Sequence, residues 1–253
     1  MKNSRLWLIP LCFFVAAVAL NLIGCFISEA LRQTVKPALL PLLCATTLAW
    51  LLPRLGMPDQ VGHDGGLVGH DGGLVGHDGG LVGLLVAAQL FGFAGDTLLI
   101  PDGFLFFAGG IGSFLIGHVF YITLFGGKHS FKGLKAWQWI AGIAAGAAAT
   151  ATLVLIIGVN GALLPPMAVY GFTLMMLIFS ALCGVLRFGG CAWWTILCGA
   201  LLFTFSDSLI AINTFKGLSP FMSGFGVMST YLLAQSLLAI GSCKLILQSP
   251  RQV

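Results

Sequence analysis

The sequence has 253 residues, of which 58% are hydrophobic and only 8% are charged, and its mean hydropathy is +1.01. Soluble domains have about 25% charged residues, so the composition excludes a soluble globular protein and predicts a polytopic membrane protein. The net charge of +4 then concerns membrane topology and gives no indication of nucleic-acid binding. Because a spanning helix needs about 20 residues, we expect an all-α bundle of about eight transmembrane helices. These helices form a single domain, 1–253.

The first apolar run extends from Leu6 to about Ile27. It is too long for the core of a typical signal peptide, which predicts a retained first helix. A short charged connection leads to a second helix that ends near Leu52. We expect this helix to begin at Pro37, because proline lacks an N–H that the first turn of a helix does not use.

Three copies of Val-Gly-His-Asp-Gly-Gly-Leu follow, starting at Val61, Val68 and Val75. A coiled coil has the same period of seven residues, but three glycines in every seven remove the helix propensity that a coiled coil needs. The histidines and aspartates are also metal-ligand types, yet nothing fixes their geometry in a glycine-rich tract. We therefore interpret 61–81 as a flexible insertion in the loop between helices two and three.

Two later helices each carry an aspartate within an apolar run. Helix three is predicted from about Val82 to Ile100 and contains Asp96, and helix seven contains Asp207. A charge at membrane depth costs about 2.5–3.5 kcal/mol on insertion scales, so an intramembrane carboxylate indicates a functional site. The predicted bounds of the other helices are Phe104 to Phe125 (four), Trp137 to Val159 (five), Ala162 to Leu186 (six), Ala192 to Ile212 (seven) and Phe221 to Leu247 (eight).

Small and polar residues recur at helical spacing on several of these helices. On helix three, Gln89, Gly92 and Asp96 share one face, and stripes of this kind allow helices to approach closely. The seven cysteines show no C-x-x-C pattern and no histidine at ligand spacing, so we expect small buried residues and neither a metal site nor a cofactor. Helices four, six and eight contribute polar stripe residues, namely His118, Tyr121, Tyr170, Tyr231 and Gln235.

The distribution of lysine and arginine predicts the orientation. With the N-terminus inside, nine of the twelve basic residues fall in inner segments and only Arg32, Lys36 and Lys216 fall outside. By the positive-inside rule both termini are expected to be cytoplasmic. Helices three and seven then run outward together. Asp96 and Asp207 come to lie at the same level, roughly 6–8 Å below the outer boundary at 1.5 Å per residue.

Six short motifs occur in a fixed order along these helices, and together they resemble the YhhN family of eight-helix membrane proteins, which includes the vertebrate lysoplasmalogenases. The resemblance covers the whole chain except the repeats. Gly92 departs from it, standing where a small hydroxyl residue is common, and Thr230-Tyr231 replaces a tyrosine pair. The motifs are Lys36-Pro37 with Pro41, Gly95-Asp96, Gly117-His118 with Tyr121, Pro166 with Tyr170, Gly199-Ala200 with Ser206-Asp207, and Tyr231 with Gln235.

The resemblance implies a membrane lipid hydrolase that cleaves the vinyl ether bond of a lysoplasmalogen into a fatty aldehyde and a glycerophospho head group. The expected partners are this lysophospholipid and the bilayer, and the expected location is a bacterial inner membrane. The chemistry requires an acid that protonates the alkene carbon and a negative charge near the resulting oxocarbenium ion, as in glycosidases. Two carboxylates in one apolar site can divide these roles between them.

Asp96 and Asp207 are therefore the predicted catalytic residues, and either Lys36 or the outer loops are expected to receive the phosphate. The predicted substrate-binding residues are Lys36, His118, Tyr121, Tyr170, Tyr231 and Gln235. Three alternatives remain open at this point: a bound metal with His118 as a further ligand, a proton-coupled carrier of lipids or small molecules, and a lipid-binding protein without chemistry. Each aspartate also has a simpler interpretation, as a structural partner of Lys36 or of a tyrosine.

Overall fold

A computed structural model describes residues 5–55, 72–128 and 130–248 of the chain, without the side chains of 72–78. Within these ranges it contains eight long helices and no strand. All eight are long and apolar enough to cross a membrane, which confirms the predicted all-α fold. The helices are α1 (Leu8–Ile27), α2 (Glu29–Leu51), α3 (Gly72–Leu98), α4 (Phe104–Gly127), α5 (Ala136–Ile157), α6 (Leu164–Phe188), α7 (Gly190–Lys216) and α8 (Val227–Leu247).

The second helix begins earlier than predicted. It starts at Glu29 because Ser28 caps it, with the Ser28 side chain accepting a hydrogen bond from the Leu31 backbone N–H. Pro37 therefore does not open the helix but lies inside it, as does Pro41. Prolines are tolerated within membrane helices because neighbouring groups compensate the freed backbone carbonyls. This correction places Lys36 on a helix and not in a connection.

The third helix also begins earlier, at Gly72 instead of near Val82. The backbone of the third repeat copy is thus helical, which the glycine content did not predict. A membrane favours such an extension, because a helix satisfies its own backbone hydrogen bonds. Residues 61–71, which contain the first copy and part of the second, lie outside the described residues.

The helices pack mainly in sequential pairs, α1 with α2, α3 with α4 and α7 with α8. The core runs through the middle of the bundle and contains residues such as Leu85, Tyr121 and Phe203. Helix α5 is peripheral and packs mainly on α6. We call the end where α1 begins and α8 ends the terminal end of the bundle, and the other end the opposite end.

The cysteine prediction is only partly correct. Cys44, Cys183 and Cys243 are buried as expected, but Cys12 and Cys191 are exposed, and Cys198 is exposed as well. The reason is that the outer face of a membrane bundle is itself apolar, so a small apolar residue is as compatible with lipid contact as with the core. Large side chains such as Leu105 and Leu155 are exposed on the same outer faces.

Removal of two repeat copies should leave the fold intact. The copies are identical, so deleting 61–74 or 68–81 gives the same chain with one copy left. The segment Gly79–Leu98 is long enough to span the membrane alone, and loop-closure entropy changes slowly with loop length. We expect a change of less than about 1 kcal/mol in stability, measured as the melting temperature in detergent. A large loss would show that the insertion is structural.

Candidate active site

Asp96 lies near the end of α3 and is almost completely buried, with 2% of its surface exposed. The Lys36 ammonium of α2 is 3.4 Å from Asp96 Oδ1. The Tyr231 hydroxyl of α8 donates a hydrogen bond of 2.6 Å to Asp96 Oδ2. A buried carboxylate requires partners of this kind, because an unpaired buried charge costs several kcal/mol. One carboxylate thus ties three helices together.

Tyr231 lies deeper in the bundle than the Asp96 carboxylate that its hydroxyl contacts. Side chains of an α-helix lean toward its N-terminus, and α8 begins at the opposite end, so the hydroxyl of Tyr231 extends up to Asp96. A row of buried polar groups continues inward from this hydroxyl. Gln235 Nε2 lies 3.5 Å from it, and Tyr121 OH lies 3.5 Å from Gln235 Oε1. The row holds the phenol of Tyr231 in a fixed position.

Asp207 is in the second half of α7 and is less buried than Asp96. The Tyr170 hydroxyl of α6 donates a short hydrogen bond to Asp207 Oδ2. Within the described part of the chain, Asp207 has no basic side chain at salt-bridge distance and Oδ1 accepts no hydrogen bond. The two carboxylates therefore have different surroundings, and only Asp96 is paired with a cation.

A cavity of about 70 Å³ opens beside Asp207. Its walls come from α4, α5, α6 and α7 and are almost entirely apolar. Although α4 and α5 are consecutive in the chain, they do not form a packed pair, so the cavity extends between them. Its lining includes Phe107, Ile111, Phe114, Thr150, Ile157, Tyr170, Leu174, Thr204, Asp207 and Ala211. The shape and chemistry suit an aliphatic chain.

The two aspartates interact electrostatically, and Lys36 acts on both. Aromatic rings fill the space around them. Phe114 packs edge-on against Tyr231 and Phe203, with ring centroids 6.1 and 6.2 Å away. These rings exclude water and lower the local dielectric, which strengthens the interaction between the charges. The structure thus brings the predicted pair into one apolar cluster in the opposite half of the bundle.

Gly95 permits the close packing beside Asp96. A Cβ at this position would lie 2.8 Å from the ring of Phe114, closer than carbon atoms approach without strain. Gly117 has the same role deeper in the interface, where a Cβ would lie 3.1 Å from the Ala88 carbonyl oxygen. In the Gly95-Asp96 motif, the aspartate therefore supplies the carboxylate, and the glycine allows α3 to pack closely against α4.

His118 is buried between aromatic rings. Its imidazole packs edge-on against Phe203 and Tyr170, with centroids at 4.5 and 5.7 Å. Its buried Nδ1 has no hydrogen-bond partner of normal geometry among the described residues. Among the described residues, no three His, Cys, Asp or Glu side chains come together as ligands for one ion. The donor set therefore does not support the alternative in which His118 joins the aspartates on a metal.

Only two predicted site residues, Asp207 and Tyr170, line the cavity. The other predicted residues do not line it. Lys36 and Tyr231 contact Asp96, and Gln235 and Tyr121 continue the row of polar groups from Tyr231. His118 packs against Tyr170. Sequence reasoning did not identify the cavity-lining residues of α5, such as Thr150 and Ile157, nor Phe114. No polar pattern marked them, because an apolar wall residue and an ordinary core residue look alike in sequence.

The fold and the site define a helical membrane protein with two buried or half-buried carboxylates, one of which lines an apolar cavity. Comparison with known proteins identifies the family. The YhhN family model matches residues 31–242, and the chain belongs to this family. The matched segment contains α2 to most of α8 and both aspartates. No solved structure matches the chain.

Curated relatives carry the name lysoplasmalogenase. The chain is 32% identical over 162 residues to lysoplasmalogenase TMEM86B of Mus musculus, covering 64% of each chain. It is 30% identical over 162 residues to the same protein of Rattus norvegicus, covering 64% of this chain and 62% of that one. Lysoplasmalogenase TMEM86A of Homo sapiens is 31% identical over 165 residues, covering 60% and 62% respectively. The chain thus spans less than two thirds of these relatives.

The ion pair yields a stability prediction. Lys36→Met leaves Asp96 buried without its cation, which should lower the free energy of unfolding by about 3 kcal/mol, the usual loss when one partner of a buried pair is removed. Lys36→Met combined with Asp96→Asn should recover most of this loss. Lys132→Met, at an exposed lysine, is the control. Chemical denaturation in detergent measures all four proteins, and wild-type stability of Lys36→Met would contradict the structural importance of the pair.

Proposed function

We propose that the protein is a lysoplasmalogenase-like hydrolase that cleaves the vinyl ether bond of a lysophospholipid. The observation that supports the proposal most strongly is the difference between the two aspartates. One is paired with a cation, and the other faces an apolar cavity without a cation. Two carboxylates in different surroundings are the arrangement that separates an acid from a charged partner. The relatives are named lysoplasmalogenases, so the bond that we assign to this pair is the vinyl ether bond of a lysoplasmalogen.

The different surroundings of Asp96 and Asp207 support a different catalytic role for each. The ion pair with Lys36 keeps Asp96 as the carboxylate anion. Asp207, in an apolar cavity and without a salt bridge, is the carboxylic acid. Tyr170 donates to Oδ2 of Asp207 and leaves Oδ1 free to carry the transferable proton toward the cavity. A fixed general acid of this kind contributes about 10²–10⁴ to a rate.

The reaction then proceeds in three steps. Asp207 transfers its proton to the alkene carbon that carries the alkyl chain, and an oxocarbenium ion forms at the carbon bonded to the ether oxygen. The negative charge of Asp96 stabilises this cation through space. Water adds to the cationic carbon while the Asp207 carboxylate takes up the proton that water loses. The resulting hemiacetal breaks its C–O bond to the glycerol oxygen and gives the aldehyde and the glycerophospho alcohol.

The cavity determines how the substrate lies. The aliphatic chain occupies the space between α4 and α5, and the head group remains at the membrane surface near the opposite end. The cations described at this end are Arg32, Lys36 and Lys216. Arg32 is paired with Glu29, and Lys36 with Asp96. Lys216 is exposed and is the cation best placed to attract a phosphate without disrupting an ion pair.

We also infer that the membrane is a bacterial inner membrane with both termini on the cytoplasmic side. Proteins that span the bacterial outer membrane are β-barrels, whereas this chain is a bundle of apolar helices. Seven of the ten basic side chains that the structure describes lie at the terminal end, and the positive-inside rule places that end in the cytoplasm. The site then faces the outer leaflet.

Asp→Asn substitutions test the proposed roles. Asp96→Asn and Asp207→Asn keep the side-chain shape but remove the charge or the proton, so each should lower aldehyde release at least about 100-fold. The double variant should be about as inactive as either single one, because members of one catalytic unit act non-additively. Aldehyde is measured with a trapping reagent after incubation with lysoplasmalogen. The melting temperature should change by only a few degrees in Asp207→Asn and should fall further in Asp96→Asn, which leaves Lys36 without its anion.

Asp102→Asn is the matched control, because it makes the same change at an exposed aspartate just beyond α3. It should retain full activity. Full activity in either of the two site variants would remove that aspartate from the mechanism. A wild-type protein that releases no aldehyde but moves lipid or protons across vesicles would replace the hydrolase by a carrier.

A further inference from the structure

A second cavity lies away from the aspartates, in the groove between α1, α2 and α8. Its volume is about 380 Å³. Its walls are mostly apolar, with Leu11 and Phe14 from α1, Leu43 from α2, and Ala239 and Ile240 from α8. Nothing in the proposed reaction uses this groove. An apolar space of this size that opens to the membrane is filled by some aliphatic group.

The mouth of the groove lies at the terminal end of the bundle. Trp7, at the start of α1, and Trp50, near the end of α2, line it there, together with Lys244 near the end of α8. Tryptophan is enriched at the level of lipid head groups. The groove then extends inward to Thr46, Thr47 and Ser236. It therefore runs from the head-group level toward the bilayer centre, as a lipid chain does.

Positive charge surrounds the mouth. Lys244 Nζ is partly exposed and lies 3.6 Å from the Cys191 sulfur, its hydrogen-bond partner among the described residues. The Arg54 guanidinium lies over the Trp50 ring, 4.2 Å from its centroid. The acidic side chains that the structure describes are Glu29, Asp96, Asp102 and Asp207, and all four belong to the opposite half. Among the described residues, the charged side chains at the mouth are thus basic and complementary to an anion.

The dimensions favour a lipid chain over a protein helix. An α-helix with its side chains is about 10–12 Å thick, so it rests on a groove but does not enter it. An aliphatic chain is thin enough to lie inside and make contacts along its whole length. The polar groups deep in the groove already have partners within the protein: Thr46 donates to the Leu42 carbonyl, and Ser236 to the Leu232 carbonyl. The inner groove therefore presents an apolar surface.

We propose that this groove binds one phospholipid of net negative charge. One of its chains lies between α1, α2 and α8, and its phosphate contacts Lys244 and the Arg54 side chain above Trp50. The bound lipid completes the packing of α1, which is the helix on one side of the groove and has few buried residues of its own. The groove does not contact either aspartate. The site is therefore independent of the hydrolase proposal.

Native mass spectrometry of the detergent-purified protein tests this proposal with phosphatidylglycerol and phosphatidylcholine added separately. The wild type should bind one phosphatidylglycerol about thirtyfold more tightly than phosphatidylcholine, since two basic contacts at a membrane surface each give about fivefold. Lys244→Gln with Arg54→Gln should remove this preference. Lys132→Gln, at an exposed lysine predicted to face the same side of the membrane, should keep it.

A steric variant tests the position of the chain. Val15 lines the groove and is exposed, so Val15→Trp fills the space without disturbing the core. It should lose the bound lipid of either head group, whereas Val119→Trp, on the exposed face of α4, should retain it. Equal binding of both lipids by the wild type, or lipid retention in Val15→Trp, would overturn the proposal. A dimer that Val15→Trp dissociates would instead assign the groove to a second copy.

Discussion

The contact between Lys36 and Asp96 is the constraint on which the arrangement of the site depends. A carboxylate at this depth is stable only with partners, and its partners come from α2 and α8 while the carboxylate itself is on α3. The three helices are therefore fixed relative to one another at the opposite end. Gly95, which precedes Asp96, has no side chain that would push α4 away. Chemistry and packing thus rest on the same residues.

Asp207 differs from Asp96 because it has no cationic partner among the described residues. Asp207 has a hydrogen bond from Tyr170 and an apolar cavity beside it, but no cation at salt-bridge distance among the described residues. The weak packing between α4 and α5 creates that cavity. Helix α5 packs on α6 and α7 and leaves an apolar cavity beside α4, whereas α7 packs closely on α8 and α3 on α4.

The fold was predictable from the sequence because the membrane imposes helices, and apolar runs of about 20 residues mark them. A common level of Asp96 and Asp207 is predicted from their positions on two helices that run in the same direction. The start of α2 differs from the prediction because Ser28 caps the helix, and Pro37 lies within it and not in its first turn. The cavity was not predictable, since it arises from how far apart α4 and α5 lie, and no single residue encodes that distance.

The central claim is that a fixed carboxylic acid protonates the alkene carbon of a vinyl ether. It is tested most directly by hydrolysis in D₂O with immediate trapping of the aldehyde. Mass spectrometry and NMR of the trapped product should show one deuterium on the carbon next to the aldehyde, in a single configuration, because Asp207 delivers the proton to one face of the alkene. An aldehyde without deuterium at that carbon, or with both configurations equally populated, would contradict protonation by a fixed acid.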